Sequence, residues 1–113
     1  MRDSMAYRIP TIEHLVNTRA YPLGYQGREI GWTRGDALRV ISELGDTDIG
    51  ILGGDVWHLV NGKATHAYAN WHSEPGGGET PHNFAVRSRA EANEYISQYP
   101  ETSETYYVLV FSQ

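Results

Sequence analysis

The first clear run of apolar residues at helical spacing begins just after residue 32. Thr33 and Asp36 have the spacing of a helix N-cap and its acidic N3 partner. Gly45 then provides the residue that most readily adopts the left-handed conformation at a helix end. The pattern therefore predicts a helix over residues 34–44. Its apolar face consists of Ala37, Leu38, Val40, Ile41 and Leu44.

A second helix and a terminal strand are predicted in the last third of the chain. Thr80 followed by Pro81 is typical of a helix start, and Pro100 of a helix end. The last strand, residues 106–112, is apolar on both alternating sets, which favours a central strand with both faces covered. The predicted core face of the helix contains Phe84, Ser88, Ala92, Tyr95, Ile96 and Tyr99.

Between the helices, the pattern predicts a β-hairpin. Residues 48–60 are rich in β-branched and aromatic residues, residues 63–71 form the return strand, and Asn61-Gly62 between them is typical of a two-residue type I′ turn. Such a turn fixes the register. It pairs Trp57 with His66, Asp55 with Tyr68, and Gly53 with Asn70.

This register sorts the hairpin into two faces. The more apolar face, which we expect to meet the helices, contains Leu52, Gly54, Val56, His58, Val60, Thr65, Ala67, Ala69 and Trp71. The mixed face contains Ile51, Asp55, Trp57, Leu59, His66, Tyr68, Asn70 and His72. Gly53-Gly54 indicates a bulge or a close approach of backbone.

The elements predict an α+β fold in the order helix, strand, strand, helix, strand. We expect a small, largely antiparallel sheet of three to four strands, in the order second, first, last, with two long helices on one face. Residues 21–31 suggest an irregular segment ending in a short strand near residues 29–32, and residues 72–79 a mobile loop. Residues 1–10 are expected to be frayed, and Thr11 to cap a short helix.

Composition limits the class of protein. With 113 residues, 40% of them hydrophobic, we expect one domain over residues 1–113. The chain has no cysteine, no apolar run of membrane length and no export signal, so we expect a cytoplasmic protein without membrane contact. The net charge of −5 makes nucleic acid a poor partner. The oligomeric state is left open.

Catalytic and metal-binding motifs are missing from the sequence. The five histidines show no metal-ligand spacing, and there is no G-x-S-x-G elbow or phosphate-binding glycine motif, so we expect no metal, no cofactor and no enzyme activity. An acid-base pair of His66 or His72 with Asp55 is conceivable because they share a face, but ordinary strand histidines are favoured.

The mixed face of the hairpin is the candidate binding site. Amphipathic rings beside a few fixed polar groups are typical of binding hot spots. The candidate partner-binding residues are Asp55, Trp57, His66, Tyr68 and Asn70. Three alternatives stay open: the rings pack under residues 21–32, they stack on a small-molecule ligand in a cleft, or the face is a homodimer interface.

Several segments resemble the immunity proteins of bacterial polymorphic toxin systems, specifically the family numbered 40. The segments are WTRGDALRVI, DIGILGGDVW, YANW and YYVLVF, and the resemblance covers residues 30–112. Ala69 stands where similar proteins carry Asp. The resemblance implies a non-enzymatic protein that binds and neutralises a cognate toxin protein.

Overall fold

The computed structural model describes residues 20–45 and 47–112. The predicted lead-in and the short helix capped by Thr11 lie outside these residues. The strands are β1 (Tyr21–Leu23), β2 (Glu29–Gly31), β3 (Ile51–Val60), β4 (Lys63–His72) and β5 (Glu104–Phe111). The helices are α1 (Arg34–Glu43) and α2 (Pro81–Gln98), and a 3₁₀ turn covers Tyr25–Gly27.

The main sheet has three antiparallel strands in the order β4-β3-β5, which confirms the predicted order and the α+β class. The short antiparallel hairpin β1-β2 is joined to the far side of β5 by two backbone hydrogen bonds between Trp32 and Tyr107, 2.9 and 2.7 Å long. The prediction that β5 is the central strand was wrong, because β3 occupies the centre. Both faces of β5 are nevertheless largely buried. The helices cover one face, and the β1-β2 hairpin covers part of the other.

Both predicted helix starts are confirmed by their caps. The Thr33 side chain accepts a hydrogen bond from the backbone N–H of Asp36, and that of Thr80 accepts one from Asn83. Pro81 is the first residue of α2. Both helices pack on the same face of the main sheet, as predicted. The core between them contains Trp32, Ala37, Val40, Ile41, Leu44, Ile49, Ile51, Val56, Ala92, Ile96, Tyr107, Leu109 and Phe111.

The opposite face of the sheet is covered over part of its area by the β1-β2 hairpin. Leu23 is buried there against Trp57, Tyr106 and Val108, and the Tyr21 ring stacks on that of Tyr106 with 4.4 Å between centroids. A second, smaller core thus forms beneath β1. The sheet face away from the helices is therefore open only beyond this cover.

The hairpin turn is confirmed, since Asn61 and Gly62 have φ angles of 51° and 76°. Trp57 opposes His66 as predicted, but the register then shifts between Asp55 and Trp57. The predicted pairs of Asp55 with Tyr68 and of Gly53 with Asn70 were wrong.

In the observed register, Asp55 opposes Asn70, Gly53 opposes His72, and Gly54 opposes Trp71. The large indole of Trp71 explains the shift, because it lies over the side-chain-free Gly54 and leaves no room there for a Cβ. The two additional β4 residues are taken up in a bulge at Ala67–Ala69, where Tyr68 has φ +59°.

A second irregularity lies in β3, at the glycine pair where a bulge was predicted. The register with β5 shifts between Ile51 and Gly53, so the alternation of side chains changes there. Ile51, predicted on the mixed face, therefore packs in the core with the helices, whereas Leu52 lines a depression on the other side.

The loop predicted over residues 72–79 is tied to α2 by Arg87. Its guanidinium donates to both carboxylate oxygens of Glu79, at 2.8 and 2.9 Å, to the Glu74 carbonyl at 2.6 Å and to Glu91 at 3.0 Å. The hydrogen bonds from Arg87 and from the backbone N–H of Gly76 lower the pKa of Glu79 to about 2. The glycine triplet is thus held at its base by charge-assisted hydrogen bonds.

Candidate functional site

The five predicted site residues all lie on β3 and β4, on the side away from the helices. We call this side of the two strands the hairpin face. Its cross-strand pairs are Trp57 with His66 and Asp55 with Asn70, and Tyr68 lies in the bulge between them. The structure therefore brings the predicted residues together on one surface, although in a different register from the predicted one.

Three aromatic rings form a stack that runs from the interior to the surface. The centroid of Trp57 lies 4.3 Å from that of His66, with the two rings tilted by 38°. The centroid of His66 lies 5.3 Å from that of Tyr68, with 24° between the ring planes. Trp57 is 9% exposed and Tyr68 is 86% exposed. In the described part of the chain, neither Nε1 of Trp57 nor Nδ1 of His66 has a hydrogen-bond partner. The stack thus supports an exposed ring from below.

The backbone at Tyr68 is in the left-handed region, with φ +59°. Aromatic residues adopt this conformation at a cost of about 1–3 kcal/mol, and such strain is concentrated at functional sites. Here the strained conformation accompanies the bulge and leaves a large ring almost fully exposed. An exposed aromatic side chain supported by other rings is typical of a binding anchor.

Next to the ring stack, the hairpin face has an open depression of about 370 Å³. It lies over Gly53, whose neighbours in the sheet are Val110 on β5 and His72 on β4. A Cβ on Gly53 would overlap with the carbonyl oxygen of Trp71, so the glycine lets the β4 backbone approach closely. It is lined by Leu52, Gly53, Gly54, Asp55, Asn70, Trp71, His72 and Val110. Asp55 is half-buried in this lining, and its carboxylate has no ion pair or hydrogen bond within the described residues.

A family model described as Immunity protein 40 matches residues 20–111, most of the chain. The chain belongs to this family. The match confirms the resemblance seen in the sequence. It also extends the resemblance to residues 20–29, which contain β1 and the start of β2. No curated protein and no solved structure is significantly similar to the chain. The assignment as a member of the Immunity protein 40 family therefore rests on the family match alone.

The histidines within the described residues do not converge on one point. His72 and His82 lie at hydrogen-bonding distance from Glu74 and Asp48, at 2.9 and 3.2 Å, and His58 contacts the Tyr99 hydroxyl. Within residues 20–45 and 47–112, no three His, Asp or Glu side chains cluster as metal ligands. The side chains of the hairpin face can stack on aromatic groups and pair with charged groups of another molecule.

Sequence reasoning anticipated one feature of the site and missed another. Packing of the rings under residues 21–32 was one of the alternatives, and it is confirmed for Trp57, which is buried against Leu23 of β1. The two three-residue strands that form this cover carry no readable period. The depression was not predicted, although Gly53 and Asp55, which line it, are a glycine and a polar position visible in the sequence.

None of the helices in the described residues is long and apolar enough to cross a membrane.

Proposed function

We propose that this chain is a non-enzymatic immunity protein that binds a cognate toxin protein through the hairpin face and thereby neutralises it in the cytoplasm. Membership of the Immunity protein 40 family supports a protein toxin as the general kind of partner. The proposed contact residues are Asp55, His66, Tyr68 and Asn70, with Trp57 supporting them from beneath.

The observation that carries the proposal is the exposure of Tyr68 on top of the ring stack. Tyr and Trp supply large contact areas at low entropic cost, and hot spots gain energy when the rings are held rigidly. Tyr68 has its ring 5.3 Å from that of His66, which is itself packed on the buried Trp57. The ring is therefore held in place before the partner arrives, so less side-chain freedom is lost on binding.

The charge of the chain supports the same partner class. A net charge of −5 attracts a basic protein surface and increases its association rate at low salt. The hairpin face adds a specific acceptor to this general attraction, because Asp55 carries a carboxylate without a described partner. We propose that the contact surface of the toxin is basic.

Replacing Tyr68 with Ala should weaken toxin binding by about 2 kcal/mol, roughly 30-fold in Kd, because a supported, exposed ring is lost from the interface. The fold should be retained, since removal of an exposed side chain changes stability by about 0.5 kcal/mol or less. The measurement is the Kd of the variant for the toxin domain encoded by the neighbouring gene, with circular dichroism as the folding control.

Tyr25 offers a matched control, because it is 80% exposed but belongs to the 3₁₀ turn and not to the hairpin face. Tyr25→Ala should leave the Kd unchanged. A folded Tyr68→Ala protein with the Kd of the wild type would move the interface away from the hairpin face.

A further inference from the structure

We propose that the depression beside Asp55 is a socket for a single arginine side chain of the partner protein. This inference rests on the proposed function and specifies what the hairpin face recognises. We define the Asp55 socket by Gly53, Asp55, Asn70, His72 and Val110, which line the depression on the side of the sheet away from the helices.

The shape of the socket follows from the sheet register. Gly53 opposes His72 on one side and Val110 on the other, so no side chain stands at the centre of this row, and all three residues line the depression. In the next row, Asp55 is flanked by Asn70 and Val108. A side chain that enters the depression meets the backbone of Gly53 below it and the side chain of Val110 at one edge. Its end lies near the carboxylate of Asp55 and the amide of Asn70.

The charge of the socket is not compensated within the described residues. Five of the described carboxylates lie close to a cationic side chain or a histidine: Glu79 and Glu91 to Arg87, Glu101 to Arg34, Glu74 to His72, and Asp48 to His82. Asp55 has no such partner, although it is half-buried in the middle of a strand. A half-buried carboxylate in this position accepts a charged hydrogen-bond donor from outside the chain.

Arginine fits these groups better than lysine. Its planar guanidinium has five N–H donors, so it can bind the Asp55 carboxylate in a bidentate manner and still donate to the side-chain oxygen of Asn70. Its aliphatic stem can lie against Val110. Arginine is also enriched at the centres of protein interfaces, where lysine is depleted. The rings of His66 and Tyr68 on the same face offer a further surface for a flat cation.

A small probe tests the socket without the toxin. The ¹⁵N-labelled full chain is titrated with N-acetyl-arginine methylamide, while the backbone signals of Gly53 and Gly54 and the side-chain amide of Asn70 are followed by NMR. We expect saturable shifts at these positions with a millimolar Kd. The lysine and citrulline analogues should bind at least about 5-fold more weakly, because the first lacks the planar fork and the second lacks the charge.

Asp55→Asn tests the carboxylate, because it removes the charge and keeps the size of the side chain. The variant should weaken binding of the arginine probe and of the toxin by at least about 10-fold, within the range for charged hydrogen bonds. Glu94→Gln is the matched control. It removes the same unit of charge from the exposed side of α2 and should change neither affinity.

The possible outcomes separate the socket from the proposed function. If the toxin binds the wild type and Asp55→Asn equally well, or if the lysine and arginine probes bind alike, the arginine socket is overturned and the immunity function stands. If the arginine probe binds in a manner that depends on Asp55 but the toxin does not bind, the socket is supported and the proposed function fails.

Discussion

Trp57→Ala should lower the free energy of unfolding by about 3–5 kcal/mol, since the side chain is 9% exposed and fills the second core with Leu23, Tyr106 and Val108. The corresponding fall in Tm is more than about 12 °C for a domain near this size. Denaturant and thermal unfolding followed by circular dichroism measure both quantities. Any loss of toxin affinity should accompany this loss of stability, because Trp57 lies beneath His66 in the ring stack.

Trp57→Phe separates packing from hydrogen bonding. The indole N–H of Trp57 has no acceptor within the described residues, so the change to phenylalanine removes no hydrogen bond. Trp57→Phe should therefore lose less than half of the stability that Trp57→Ala loses. A Trp57→Ala protein with unchanged stability and weakened toxin binding would contradict the buried position. It would show instead that the indole contacts the toxin directly.

Gly54→Ala should destabilise the protein by about 2–3 kcal/mol, in the upper part of the range for overpacking. A Cβ at this position would overlap with the carbonyl oxygen of Val108 on one neighbouring strand and with the indole of Trp71 on the other. The Trp71 ring has little freedom to move, because it stacks on Tyr95 of α2 at 4.6 Å between centroids. Equilibrium unfolding in urea measures the effect.

Gly35 provides the matched glycine control. It lies in the first turn of α1, and a Cβ there would meet no atom within 4 Å. Gly35→Ala should therefore stabilise the protein by about 0.5–1 kcal/mol, because alanine favours the helix. Equal effects of the two substitutions would show that the contact between Gly54 and Trp71 does not set the hairpin register.

The helices could be predicted because their signals are local. Thr33 with Asp36, and Thr80 with Pro81, determine where a helix can start, and the structure shows both caps. Asn61-Gly62 identified the turn for the same reason, since both residues adopt positive φ. Each of these signals depends on chemistry within four residues.

The register beyond Trp57 could not be predicted, because it is set by contacts between distant residues. Trp71 requires a neighbour without a side chain, and only the shifted pairing places it beside Gly54. A two-residue bulge leaves the alternation of faces on β4 unchanged, so Ala67, Ala69 and Trp71 still pack toward the helices. For that reason the five candidate residues lie on one face of the sheet even though the predicted register was incorrect.

At Ile51 and Leu52, in contrast, the bulge in β3 does change which residue faces the helices. One additional residue in β3 reverses the alternation. Gly53-Gly54 indicated an irregularity nearby, but not that Ile51 would face the helices in place of Leu52. The depression near Asp55 depends on this bulge and on Val110, which is more than 50 positions away in the sequence. Its polar residues could be read from the sequence, but its shape could not.

The most direct measurement of the central claim is the Kd between the purified chain and a candidate toxin domain encoded by a gene adjacent to its own. Calorimetric titration should give a stable complex with Kd tighter than about 100 nM, as expected for a specific protein pair, with affinity reduced by Tyr68→Ala and unchanged by Tyr25→Ala. The absence of any complex at micromolar concentrations of the folded proteins would contradict toxin binding as the function of this chain.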